Sequence, residues 1–247
     1  MRKFMSVTVA GVMAALALAA PALAVQPKQQ IKASISPTKI GKAPKKPVGV
    51  TLNVNPFFDA SNQAALDVID AAPFATKIAH LYFDKNIAFN TKAFATCASG
   101  VIQNDEKGCP KGSKVGSGTA VGRALKLNQT DLKVTAFNGP SKHFYLHVVG
   151  SSPLVIDQVL IGTLKNSTGP YGTELRVVIP PGLISPQEGL IAALTDFRTS
   201  IPKSPTGKGK VSYVTVKACP KGGLKLGYKG EYTDNTSQTV TTKIACK

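Results

Sequence analysis

The chain has no tryptophan. In 247 residues it has only 3 histidines, 4 cysteines and 13 acidic residues, set against 30 lysines and arginines. Each scarcity excludes something. Without Trp, the strongest sugar-stacking side chain is missing. Glycoside cleavage needs two carboxyl groups held about 5–10 Å apart, and the carboxylates here are few and scattered. Asp67 and Asp70 lie close in sequence, but one loop or one helix face accounts for them. No Gly-x-Ser-x-Gly elbow is present, so the esterase signature is absent. No Gly-Lys-Ser/Thr tripeptide closes the glycine-rich stretch Gly112–Gly122, and Val121 stands where the third glycine of a dinucleotide fingerprint belongs. That stretch is expected to be a loop entering a strand. No cofactor motif is found, and the sequence favours a non-catalytic protein without excluding an enzyme.

The histidines are equally restrictive. His143 and His147 have the spacing that joins zinc ligands on a helix, but Phe144, Leu146 and Val148 alternate with them. On a strand they stand about 13 Å apart, too far to share a metal, and with Tyr145 they are expected to form a polar outer face. No metal site is expected.

Long apolar runs are confined to the start. Arg2 and Lys3 precede an almost wholly apolar stretch over residues 4–20, and Ala22-Leu23-Ala24 offers a small-x-small cleavage site. This is the pattern of a secretory signal over residues 1–24. No later stretch approaches the ~20 apolar residues of a membrane span, so no transmembrane segment is expected after cleavage. The expected location is secreted or associated with a bacterial cell envelope.

The formal net charge is +17, and it is lysine that dominates: after residues 1–24 only Arg123, Arg176 and Arg198 remain as arginines. Lysine gives a diffuse, hydrated positive field, whereas arginine suits bidentate recognition of phosphates and bases. Outside the cell such a field favours anionic wall polymer or polysaccharide over nucleic acid. Residues 37–47 concentrate it, with Lys39, Lys42, Lys45 and Lys46 among prolines and no acid.

The remainder reads as strand and turn. Ile31, Ala33 and Ile35 alternate with polar residues, and Val48 to Val54 follows beyond the basic stretch, which therefore reads as a long hairpin loop. Residues 60–72 fit a short helix or a loop, 75–83 a strand, and 98–116 a loop. Strands are expected near 119–127, 130–137, 142–149, 154–164, 173–179, 190–200, 210–218, 224–233 and 237–246. Short strands at this spacing predict an all-β fold, a large antiparallel β-sandwich, with residues 25–29 as a flexible start and 30–247 as one domain.

Four cysteines behind an export signal imply disulfides. Cys-Pro-Lys-Gly occurs twice, at Cys109 and at Cys219, with Cys97 upstream of the first and Cys246 downstream of the second. Zinc sites hold cysteines in close pairs, and none of these is close. Of the three possible pairings, two local bridges, Cys97–Cys109 and Cys219–Cys246, are preferred, since the hairpin over 224–246 carries Cys246 back toward Cys219. Each would stabilise by about 3–4 kcal/mol in the loop-entropy model.

The phrases Phe89-Asn-Thr-Lys-Ala-Phe94-x-Thr96-Cys97, Cys109-Pro-x-x-Ser113-x-Val115-Gly-x-Gly118, Ala136-Phe-Asn-Gly139, Tyr171-Gly-x-x-Leu175-x-Val-x-Ile-Pro-Pro181 and the closing Cys219-Pro…Cys246 follow in order. In that order the chain resembles a group of exported actinobacterial proteins with no settled biochemical role. The resemblance implies a secreted, disulfide-bearing β-sandwich and supplies no catalytic residues. Two expectations of function stand at this point. One is an envelope protein contacting anionic polymer through lysines. The alternative is a carbohydrate-binding module or carbohydrate-active enzyme, which would gather tyrosines with at least two carboxylates. The six tyrosines are Tyr82, Tyr145, Tyr171, Tyr213, Tyr228 and Tyr232.

Overall fold

The computed structural model describes residues 27–41, 44, 46–59, 66–67, 69–70, 75–204 and 206–247. The signal stretch 1–24, Lys42, Lys45 and most of 60–72 lie outside them.

With strands numbered in chain order, eleven form one antiparallel sheet. They are β1 (Gln29–Ser36), β3 (Thr51–Phe58), β4 (Thr76–Asp84), β6 (Lys114–Ala124), β7 (Leu127–Asn138), β8 (His143–Gly150), β9 (Ile156–Asn166), β10 (Tyr171–Val178), β11 (Ala193–Ile201), β13 (Leu224–Tyr232) and β14 (Ser237–Ile244). Their order across the sheet is β1-β3-β11-β6-β7-β8-β9-β10-β4-β13-β14. Three short strands, β2 (Val48–Gly49), β12 (Val214–Val216) and β5 (Ile87–Phe89), pair as a small second sheet. The expected all-β antiparallel architecture is present. Its facing layers belong to a single sheet that curls round until its two edges meet.

The period-2 pattern explains the strands. Gln29, Ile31 and Ile35 of β1, Leu52, Val54 and Phe58 of β3, and Leu132, Val134 and Ala136 of β7 are all buried, with more exposed neighbours between them. Each Leu or Ile so buried stabilises by about 1.5–3 kcal/mol. The hairpin joining β1 to β3 runs as expected, with Ile35 opposite Leu52, so the basic stretch is its connection. The β13–β14 hairpin is present too, with Asn235 in the left-handed conformation its turn requires.

The sheet edges are joined by side chains. Gln238 on β14 accepts from the Gln29 amide N–H at 2.9 Å and donates to the Pro27 carbonyl at 3.0 Å. Tyr232 donates to Gln29 Oε1 at 3.2 Å. Gln29 is therefore the buried first residue of β1, not the end of a flexible start.

Both disulfides form as expected, Cys97–Cys109 with Cα atoms 5.3 Å apart and Cys219–Cys246 at 5.8 Å. Bridges of this kind suit an oxidising compartment. No helix among the described residues is long and apolar enough to cross a membrane.

Two expectations are corrected. Residues 98–116 are not all loop: a helix over Ser99–Asn104, a 3-10 turn over Glu106–Gly108 and the start of β6 lie there. That helix is too short to show a periodic apolar stripe. Its fully buried Ile102 packs with Cys97, Phe137 and Tyr145, and so roofs the outer face of β8. His147 and Tyr145 are therefore buried rather than part of an open polar face. His147 lies between Glu106 and Asp157, at 3.1 and 2.8 Å. The second correction concerns Gly112–Gly122, most of which is strand. A Cβ at Gly118 would collide with the Arg198 carbonyl, and one at Gly116 would come within 2.6 Å of the Ser200 carbonyl. These glycines let β11 approach β6 closely.

Candidate functional site

Antiparallel order sorts the connections onto two ends of the molecule, and the charges are sorted with them. From the end where β1, β7, β9 and β14 finish, the three long connections 37–50, 85–113 and 202–223 emerge. They are lysine-rich, and their only acids are Asp105 and Glu106. Lys39, Lys46, Lys85, Lys203, Lys208 and Lys217 are all exposed there. At the opposite end, residues 59–75 contribute Asp59, Asp67 and Asp70, and 179–192 contribute Glu188, with no lysine or arginine in either segment.

Of the four lysines singled out from the sequence, Lys39 and Lys46 are exposed at the basic end, while Lys42 and Lys45 lie outside the described residues. The described part of their segment is docked. The amides of Ile40 and Gly41 donate to the Lys247 carbonyl at 2.7 and 2.8 Å, and Lys247 N–H donates to Thr38 at 2.8 Å. Cys219 N–H donates to the Gly41 carbonyl at 3.1 Å, and Ile40 is buried. The Cys219–Cys246 bridge thus anchors the chain terminus on which the basic segment rests. Cys97, Cys109, Cys219 and Cys246 act as structural staples.

Next to this end, on the outer face of β1, β3, β11 and β6, lies an open groove of about 580 Å³. Lys32, Ser34, Asn53, Asn55, Thr119 and Arg198 line it, no carboxylate does, and Gly118 flattens its floor. Lys32 Nζ sits 4.8 Å from the centre of the Phe57 ring, and Arg198 is held by Asp196 at 2.9 Å.

A second cluster lies on the outer face of β10, β4 and β13. His80 Nδ1 is 2.7 Å from Glu174 and its Nε2 is 3.4 Å from Glu231, which also takes Lys229 at 2.8 Å. The hydrogen bond between Lys229 and Glu231 raises the Lys229 pKa and lowers that of Glu231. Tyr82 stacks beside His80, and Tyr171 lies against Tyr82 at 5.6 Å. Partial desolvation and, second to it, the Glu174 charge push the Tyr82 phenol up.

The other four tyrosines are core. Burial pushes Tyr228 up to about 12 and raises Tyr213 and Tyr232 further. Asp70 is not half of a catalytic pair: Arg123 grips it with two hydrogen bonds at 2.9 and 2.8 Å. Among the described residues, no group of three or more His, Cys, Asp or Glu side chains is placed to hold a metal ion.

Asn138 is the residue sequence reasoning missed. Fully buried at the end of β7, it donates to the carbonyls of Thr91, Phe94 and Ala95 and accepts from the Tyr213 hydroxyl at 3.1 Å. The Tyr213 ring in turn packs on Phe89, Phe94 and Phe144. This network fixes the turn over 91–95 that supports Lys208, whose amide donates to the Ala93 carbonyl at 2.6 Å. The signal in the sequence was an asparagine placed directly after Ala136 and Phe137 at the end of an alternating strand. Comparison with protein-family models, with curated proteins and with solved structures gives no match.

Proposed function

We propose that this is a non-catalytic secreted or cell-envelope protein that holds anionic wall polymer or polysaccharide on its lysine-bearing end. One observation carries the proposal: the long connections at that end bear lysines almost unopposed by acid, while the two long connections at the opposite end, 59–75 and 179–192, bear acids and no lysine or arginine. A random scatter of the same lysines would serve solubility alone. Concentrated on one end, they produce a field that reaches about 8 Å into physiological salt. The adjoining carboxylate-free groove, with Lys32 and Arg198, offers a track for an extended chain.

The test is retention on purified cell wall across a salt series. Retention is expected to fall steeply with salt, and to fall further on Lys203→Glu, Lys208→Glu and Lys210→Glu combined. Lys28→Glu, Lys77→Glu and Lys126→Glu, near the opposite end, should change it little. No retention at low salt, or equal losses from the two sets, refutes the proposal.

The alternative of a carbohydrate-binding module or carbohydrate-active enzyme draws on the second cluster, which gathers Tyr82 and Tyr171 with Glu174 and Glu231. Retention on neutral polysaccharide that disappears in Tyr171→Ala would favour it. Retention that only salt removes would not.

A further inference from the structure

At the end opposite the lysines the sheet encloses a cavity of about 150 Å³. Its walls are almost entirely apolar and include Leu132, Leu154, Ile179, Leu183, Leu190 and Phe197. A second void of about 80 Å³ lies behind it, and the two share Leu160, Ile179, Leu194 and Phe197 as walls. The two buried long polar side chains on the wall, Arg123 and Gln129, already have partners. Arg123 is taken by Asp70 and by Asn128 at 2.9 Å, and Gln129 donates to the Leu154 carbonyl at 2.7 Å. No unpaired charge of the wall meets what enters.

The mouth adds an independent observation. Leu125 is 74 % exposed and Leu127 is 58 % exposed, and both line the cavity. Val155 is 84 % exposed in the neighbouring turn. Leu125 and Lys126 form the two-residue turn between β6 and β7, with φ of 49° and 65°. Turns of this type strongly prefer Asn-Gly, and left-handed leucine is uncommon. A branched apolar side chain is therefore kept in an unfavourable conformation, in water, at the lip of an apolar chamber. Such outliers point toward function rather than packing.

We propose that this chamber binds the hydrocarbon chain of a single amphiphile, with its head left at the rim beside Leu125 and Leu127. A dry apolar cavity near 150 Å³ accepts a benzene-sized guest. Movement of the shared wall residues Leu160 or Phe197 joins the second void and lengthens the space for a linear chain. A lining whose one charged side chain, Arg123, is already paired with Asp70 suits the tail and offers no free charge to an ionic head. This site is separate from the polymer-binding end and stands or falls without it.

The experiment titrates the full disulfide-bonded protein with the uncharged fluorophore N-phenyl-1-naphthylamine and displaces it with a series of linear alcohols. Saturable binding is expected, with displacement that strengthens as the alcohol lengthens and then levels off. Gly122→Leu fills the chamber, because a Cβ there meets only Leu132 Cδ1 at 3.6 Å and Gln129 Cβ at 4.0 Å. It should weaken binding at least tenfold with an unchanged or higher melting temperature. If that variant is unstable, Ala193→Phe fills the chamber from another wall. Leu125→Ser with Leu127→Ser should fold and weaken binding several-fold. An absence of saturable binding overturns the proposal. So does binding that survives both filled variants, or binding lost only with the rim leucines, which would mark surface adsorption.

Discussion

Substitution of Asn138 gives the sharpest quantitative test of how the basic end is built. Its amide supplies two N–H groups, shared among the carbonyls of Thr91, Phe94 and Ala95, and its oxygen takes the Tyr213 hydroxyl. Asn138 is fully buried and Tyr213 is 1 % exposed, so water does not replace the lost partners. A net hydrogen bond is worth about 1 kcal/mol, and a buried partner left without one costs about 1–3 kcal/mol. Asn138→Leu should therefore destabilise by about 3–5 kcal/mol. Tyr213→Phe, which orphans only one oxygen, should cost about 1–2 kcal/mol. The two losses should not add. Once Asn138 is gone, the tyrosine hydroxyl is itself the orphan, and removing it relieves part of the damage. The double variant should fall short of the sum by about 1–2 kcal/mol. Guanidinium unfolding without reductant, followed by circular dichroism, measures all three. Additive losses would refute the network. Because the 91–95 turn supports Lys208, Asn138→Leu should also weaken cell-wall retention more than Tyr213→Phe at a temperature where both are folded.

Three further outcomes follow from single features. Gly118→Val drives a side chain into the Arg198 carbonyl across the β6–β11 pair and should cost at least about 2 kcal/mol, where the same change at the exposed Gly100 should cost far less. Asp131 is held at about 2, below its ordinary 3.8, chiefly by the Ser151 amide and then by the amide of Ser152. Its contribution is complete above the unfolded value and is lost as pH falls through about 2. The melting-temperature gap between wild type and Asp131→Asn should therefore be open at pH 7 and close near pH 2, and a constant gap would contradict it. Removing Cys97–Cys109 by paired Cys→Ala changes should lower stability by about 3 kcal/mol and unroof β8, read as faster hydrogen exchange at Tyr145 and His147.

Where the strands run was legible because alternation is a local property. Ile31, Ala33 and Ile35 declare an inward face without reference to anything distant, and the β13–β14 hairpin needs only its own turn. The cysteine pairs were legible because each bridge is local in sequence. What could not be read were the long-range placements. His147 looked like a solvent-facing residue because its strand alternates, and only the packing of Ile102, some forty residues earlier, hides it. The grouping of His80 with Glu174 and Glu231 depends on β4 lying between β10 and β13, an order no local pattern encodes. The lysines were visible as a count and as the 37–47 run. Their collection on one end required the up-and-down path of the strands. Leu125 and Leu127 looked like ordinary strand residues until the turn between them proved left-handed.

The meeting of the sheet edges at Gln29 and Gln238 has a geometric origin. Eleven strands that alternate in direction leave the first and the last pointing the same way, so β1 and β14 lie side by side as parallel neighbours. An even-numbered antiparallel barrel zips shut with backbone rungs, but this one cannot continue its own pattern across the join, and side-chain amides span it instead. The wall therefore carries a lengthwise seam. Just past both strands the backbone bonds of Lys247 with Thr38, Ile40 and Gly41 clasp that seam at the basic end, while toward the opposite end it rests on the side chains of Gln29, Gln238 and Tyr232, so the join is a clasp at one end and a lacing of side chains at the other.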